Sequence, residues 1–228
     1  PAGIAGGDEL SIQVDLAEGS HALITTPGAG KWYRSAGQTA RQHISLSVAD
    51  NALLEWLPQE AMLFNQAIAD TQTSIHLSDS AAFIGWDMLV IGRQSRQEKF
   101  LQGSYHNQLA IFQNQQLIFQ DQLYIEGDDL WLTSPLGMHG RAVMGALYLV
   151  PPQSQRQEDA LDAQIDLMRE LVMRMQMPLR MTRLGHTIVA RYLGDDARQC
   201  IDGFAGLRAK CRKYWFGLDE ELPRIWRT

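Results

Sequence analysis

Along the first 150 residues, apolar and polar positions alternate with a period of two, as in Leu10-x-Ile12-x-Val14-x-Leu16 and Ile44-x-Leu46-x-Val48. The pairs Ile111-Phe112 and Leu117-Ile118-Phe119 continue the theme around a turn. Such alternation puts one face of a strand in a core and the other in water, so this region reads as β-rich. A degenerate repeat overlies it. LAEGSHAL from Leu16, VADNALLE from Val48 and LSDSAAFI from Leu77 each run apolar, small, acidic, turn residue and back to an apolar strand, at spacings of 32 and 29 residues. Recurrence near this length, one strand–turn–strand per copy, predicts stacked coils of a β-helix or solenoid. An antiparallel sandwich with coincidental turns fits the same pattern.

After Pro151-Pro152 the period changes. Ser154 and Gln157 form a candidate capping box, acids Glu158, Asp159 and Asp162 crowd the first turns, and Leu161, Ile165, Met168, Val172 and Met175 recur at helical spacing until Pro178. A strand is predicted over Thr187 to Leu193. Asp195 or Asp196 then caps a second helix with Ala197, Cys200, Phe204, Leu207 and Cys211 on one face. Gly203 and Gly206 each cost that helix about 1 kcal/mol relative to alanine, so packing must hold it. The expected architecture is a single mainly β domain over 1–228, with a β-rich body to residue 150 and two helices around a late strand.

Composition narrows the function. The 228 residues are 45% hydrophobic, ample for a core, and 20 Lys+Arg against 26 Asp+Glu give a net charge of −6. A basic surface releases counterions on polyanions, and this chain lacks one overall, so neither nucleic acid nor anionic membrane is an expected partner. No apolar run approaches the roughly 20 residues that cross a bilayer. The opening PAGIAGGDEL has no signal-peptide pattern. A cytoplasmic location is expected, with the reservation that a chain opening Pro-Ala-Gly lacks an initiator methionine.

Five candidate chemistries can be weighed on the residues. The GAGK of Gly28-Ala29-Gly30-Lys31 suggests a phosphate loop, but Thr25 stands where the first glycine belongs and Trp32 where Ser or Thr must follow. Cys200 and Cys211 on one helix lie roughly 16 Å apart, too far for a disulfide or a shared metal. The six histidines, His21, His43, His76, His106, His139 and His186, show no ligand spacing. The cluster Met173, Met175, Met177 and Met181 could suit Cu(I), but adaptable methionines also fill cores and docking faces. The acids Asp8, Glu60 and Asp87 flank aromatic or apolar stretches. Carboxylates so placed are candidates for partial burial, which demands a partner, a cation or water.

The stretches PAGIAGGDEL, ALITTPGAGKWYRS, LEWLPQEAMLF, GWDMLVIGR, SPLGMHG, VARYLGD and LPRIW, in this order across nearly the whole chain, resemble the UreD (UreH) family of urease accessory proteins. The family's usual Gly-Gly-Ile-Val-Gly-Gly-Asp is Ala2-Gly3-Ile4-Ala5-Gly6-Gly7-Asp8 here, and its Pro-Gly-Ala-Thr-Lys-Phe-Tyr-Arg is Pro27 to Arg34 with Gly30 and Trp32. Members usually carry a further β-rich segment before the Gly-Gly-Asp stretch, so an N-terminal portion is expected to be absent.

The resemblance implies a β-helical, non-enzymatic metallochaperone scaffold with no tightly bound cofactor. Such a protein binds the urease structural subunits and, with UreF and the GTPase UreG, enables nickel insertion. Any nickel in transit calls for sparse, weak oxygen ligands, and Asp8, Glu60 and Asp87 are the candidates. Met168, Met173, Met177, Phe204 and Tyr214 on the late helices are the candidate partner-binding residues. Two rival readings stand beside this one: a β-helical carbohydrate hydrolase with paired carboxylates, and a passive scaffold that never touches nickel.

Overall fold

The structure, a computed structural model, describes residues 3–219 and 221–227; Pro1 and Ala2, which open the first family-like stretch, lie outside them, as do Glu220 and Thr228. The chain winds in coils. β1 (Glu9–Leu16), β2 (His21–Thr25) and β3 (Gly30–Trp32) make the first, β4 (Ala40–Val48), β5 (Leu53–Leu57) and β6 (Ala61–Leu63) the second, and β7 (Ile68–Leu77) and β8 (Ala82–Ile91) the third. β9 (Ser104–Gln113) begins a fourth, but the chain folds back as β10 (Gln116–Glu126) and passes a single turn, α1 (Leu130–Thr133), into β11 (Val143–Val150). Then come α2 (Glu158–Arg174), β12 (Leu179–Leu184), β13 (Thr187–Gly194) and α3 (Ala197–Phe216).

Two sheets result. One has the order β1-β4-β7-β9-β10; the other runs β12-β13-β11-β8-β5-β2 and carries β3 and β6. Pairing between successive coils is parallel throughout, and becomes antiparallel only at β9–β10 and around β11, β12 and β13. The body is therefore a β-solenoid and not an antiparallel sandwich. The weak sequence repeat is its register: Leu16 pairs with Val48, Val48 with Leu77, and one turn later His21 with Leu53 and Leu53 with Ala82. The acidic and small residues between are stacked turns that bond to one another. The Gly19 N–H donates to the Asp50 carbonyl at 3.0 Å, and the Ser80 N–H to Asp50 Oδ1 at 3.1 Å.

Alternation along the second sheet separates two interiors. Leu53, Leu57, Ile84, Trp86 and Met88 face the helices, where Leu161, Ile165, Met168 and Val172 of α2 and Cys200, Phe204, Leu207 and Cys211 of α3 complete one core. The intervening residues, Leu54, Trp56 and Phe83 among them, face the first sheet. Asp196 caps α3 through the N–H groups of Arg198 and Gln199. The two helix glycines have a packing reason. A Cβ at Gly203 would lie 2.7 Å from Leu179 Cδ1 and 2.8 Å from Met177 Sδ, and one at Gly206 3.4 Å from Met175 Cε, so the bare backbone lets the 175–179 segment approach.

The helical part differs from expectation in two places. Gln153–Gln155 form a 3₁₀ turn, α2 begins only at Glu158, and its N-cap Gln157 makes no side-chain cap, so Ser154 forms no capping box. Nor is there a single late strand: β12 and β13 are an antiparallel hairpin that extends the solenoid's own sheet. Among the described residues no helix is long and apolar enough to cross a membrane.

Candidate functional site: a polar waist between the sheets

A solenoid interior is normally apolar on every rung, because an inward polar group must find a partner. Here apolar residues fill both ends of the space between the sheets, Leu46, Ile75 and Ile111 at one and Leu63, Leu89 and Ile125 at the other. The waist between them is polar. Gln42, Thr71 and Asn107 are register partners on β4, β7 and β9, and Thr71 Oγ1 donates to Asn107 Oδ1 at 2.5 Å. Asn107 Nδ2 then donates across the gap to Asp87 Oδ2 on β8 at 2.8 Å. A second brace joins the sheets nearby. Asp121 Oδ2 on β10 accepts from the Tyr148 hydroxyl at 2.8 Å and lies 2.8 Å from Arg191 Nη1.

Asp87 is the acid that both braces of this waist surround. Burial pushes its carboxyl above the ordinary carboxylate range, against the Asn107 bond and a backbone N–H from Met88, and neighbouring Asp121 adds to the rise. Burial likewise raises the Tyr105 and Tyr148 phenols, with the Asp87 charge contributing to both. Asp87 is half-buried, and its side chain borders the space between the sheets. That space is two cavities, of about 120 and 220 Å³, which share Asp87, Tyr105, Asn107 and Tyr148 as lining. A water needs roughly 10–15 Å³ of such volume. Both cavities thus have room for several waters, with Asp87 on the wall between them.

Of the three candidate carboxylates, Glu60 and Asp87 line the same cavity, together with Lys31. Asp8 does not. It is exposed, and its Oδ2 accepts the Ala5 N–H at 2.9 Å, closing a turn. Lys31 lies inside strand β3, so the GAGK segment opens no helix and forms no phosphate cradle. The residues that sequence reading missed are Thr71, Tyr105, Asn107, Asp121 and Tyr148. A signal existed in β7, where Thr71 and Thr73 interrupt the inward phase between Ala69 and Ile75, but nothing local shows what faces them.

The partner-binding candidates divide as well. Phe204 is wholly buried, its ring 5.9 Å from that of Trp86, and is a core residue instead of a docking one. Met177 packs beneath α3 against the Gly203 site. Met168, only 3% exposed, floors a groove of about 600 Å³ between α2 and α3 whose walls include Leu167, Leu171, Lys213 and Tyr214. Tyr214 is 52% exposed there, and Met173, at 68%, stands on the surface outside the lining. Cys200 and Cys211 are free and buried, and burial raises both thiols, which keeps them protonated and inert. Among the described residues no three or more His, Cys, Asp and Glu side chains are grouped to hold a metal ion.

Fold and site together define a class: a parallel β-solenoid with a polar, cavity-bearing waist and a helical layer on one sheet. The sequence matches the family model described as UreD urease accessory protein over residues 1–227, and the chain belongs to that family. It is 55% identical over 228 residues to the urease accessory protein UreD of Acinetobacter baumannii (strain ACICU), covering all of this chain and 78% of that protein. The urease accessory proteins UreD of Dechloromonas aromatica (strain RCB) and Vibrio parahaemolyticus are 38% and 36% identical, again over all of this chain, with 78% and 80% of their own lengths covered.

Proposed function

We propose that this chain acts in urease maturation as a non-enzymatic scaffold, and that nickel on its way to the urease active site passes through the waist between the sheets. The observation that carries the reading is Asp87 standing between two cavities large enough for water, one of which also bears Glu60 at its lining. A carboxylate held by one side-chain amide and one backbone N–H binds a divalent cation weakly enough to release it, whereas a cage of four strong ligands would retain it. Glu60 receives the cation and Asp87 passes it on, with Asp121 next in line. In this scheme the chain works beside UreF and UreG in a complex on the urease subunits. The groove floored by Met168 and walled by Tyr214 takes an apolar helix of UreF, with Lys213 at its rim favouring an acidic flank on that helix, while Arg174 is paired with Glu170.

The test separates transport from assembly. Asp87→Asn and Glu60→Gln are expected to lower the nickel content of urease purified from cells carrying each variant, while the amount of assembled complex stays constant. Asp8→Asn serves as the control, because its carboxylate lies off the cavity. Normal nickel in both cavity variants, or nickel lost only in step with complex, overturns the route and leaves a passive scaffold. The hydrolase alternative is not favoured, since the family is named for an accessory role and the Glu60–Asp87 cavity offers about 120 Å³, too little for a sugar chain.

A further inference from the structure

On the opposite face of the same sheet lies a second polar cluster that the nickel route does not use. Glu55 of β5 is fully buried, and its two oxygens take three donors: Arg208 Nε on Oε2, Arg212 Nη1 on Oε1, and His21 Nε2 on Oε1 at 2.7 Å. Two guanidinium groups thus share one carboxylate. Arg208 Nη1 and Arg212 Nε are spent on the carbonyls of Glu221 and Asp219, both at 2.9 Å, in the strap that follows α3. Arg208 is only 1% exposed, and its remaining nitrogen, Nη2, is buried with no hydrogen-bond partner. Burial pulls the Arg208 pKa below the ordinary guanidinium range, with the Glu55 bond opposing it. Glu55, Arg208 and Arg212 line a cleft of about 370 Å³ whose rim holds His21, Glu221 and Arg224.

A buried guanidinium nitrogen without an acceptor is costly, and among the described residues the arginines Arg208, Arg212 and Arg224 outnumber the acids Glu55 and Glu221 in the cleft, an excess of positive charge that attracts an anion. Guanidinium forks fit planar or tetrahedral oxyanions better than a monatomic ion. We propose that this cleft binds a small multi-oxygen anion, of the phosphate or carboxylate class, and that the bound anion tightens the C-terminal strap against α3. Binding needs a small opening of the strap for the anion to reach Arg208 Nη2.

The experiment titrates the purified chain with sodium phosphate and, separately, sodium acetate, each against sodium chloride at matched ionic strength. It reads heat of binding by calorimetry and the midpoint of thermal unfolding. A saturable heat and a raised midpoint are expected beyond the chloride control. Stronger binding of phosphate identifies a free oxyanion as the occupant, and stronger binding of acetate identifies a carboxylate such as an acidic side chain. Arg212→Gln is expected to weaken binding about tenfold, the effect of one charge-assisted hydrogen bond. Arg224→Gln, on the exposed rim and without consequence for folding, weakens it less. Response no greater than with chloride, or unchanged affinity in both folded variants, overturns the proposal.

Discussion

Glu55 and Asp87 stand on adjacent parallel strands of one sheet and face opposite sides of it. Glu55, toward the helices, has two arginines and a histidine. Asp87, toward the first sheet, has one asparagine amide and a backbone N–H, with a second acid nearby. The first charge is compensated in excess, so its neighbours are left wanting an anion. The second is undercompensated and borders cavities with room for water. Two carboxylates of the same sheet therefore have opposite needs, and what decides them is the charge that other elements bring across each interface.

The largest way to test this contrast is to remove the compensated acid. Glu55→Gln leaves two largely buried arginines without their counter-charge, and a loss of about 3–5 kcal/mol in urea denaturation is expected. Next comes the helix that delivers those arginines. Gly203→Ala gains up to about 1 kcal/mol of helix propensity but drives a methyl into Leu179 and Met177, so a net loss of about 1–2 kcal/mol is expected, without change in nickel delivery. On the Asp87 side, Tyr148→Phe removes one bond to Asp121 and should cost about 1 kcal/mol.

The smallest effect has the opposite sign. Because burial raises the Asp87 pKa in the folded protein, the folded state holds that proton more tightly than the unfolded one. Its stabilising contribution is full below the unfolded value of 3.8 and is lost as pH rises through the folded value. Asp87→Asn, which never ionises and keeps an oxygen for Asn107, should be more stable than wild type at pH 7 and converge with it in acid. Thermal midpoints across the pH range check this. A stability loss at pH 7 would show that Asp87 is compensated as Glu55 is, and the contrast would fail.

Much of the fold was legible because it is periodic. The 32- and 29-residue spacings are coil lengths, and Leu16, Val48 and Leu77 fall on one rung as their alignment implies. Asp196 acts as the cap its position suggested. The capping box at Ser154 failed because Gln157 takes an extended backbone, and the helix starts one residue after it. Strand β12 was missed because Leu179–Leu184 is short, follows a proline and breaks its alternation at Arg183, and only its partner β13 makes it a strand.

The candidate site was half legible. Glu60 and Asp87 could be chosen as acids in apolar surroundings, but Asp8 reads the same way and merely closes a turn. Likewise Met168 and Phe204 share the helical stripes that suggested docking, yet a stripe does not say whether a sheet or a partner covers it. Here the sheet covers Phe204 completely.

By itself the sequence determined the elements with local causes: alternating strands, coil length, the Asp196 cap and a stretch-by-stretch likeness to one family. Tertiary structure alone decided which charges meet. Asn107 reaches Asp87 from 20 residues away and Arg208 reaches Glu55 from 153, through the stacking of coils and the docking of α3. Side-chain electrostatics depend on burial and on neighbours within a few ångströms, and no short window of sequence contains either.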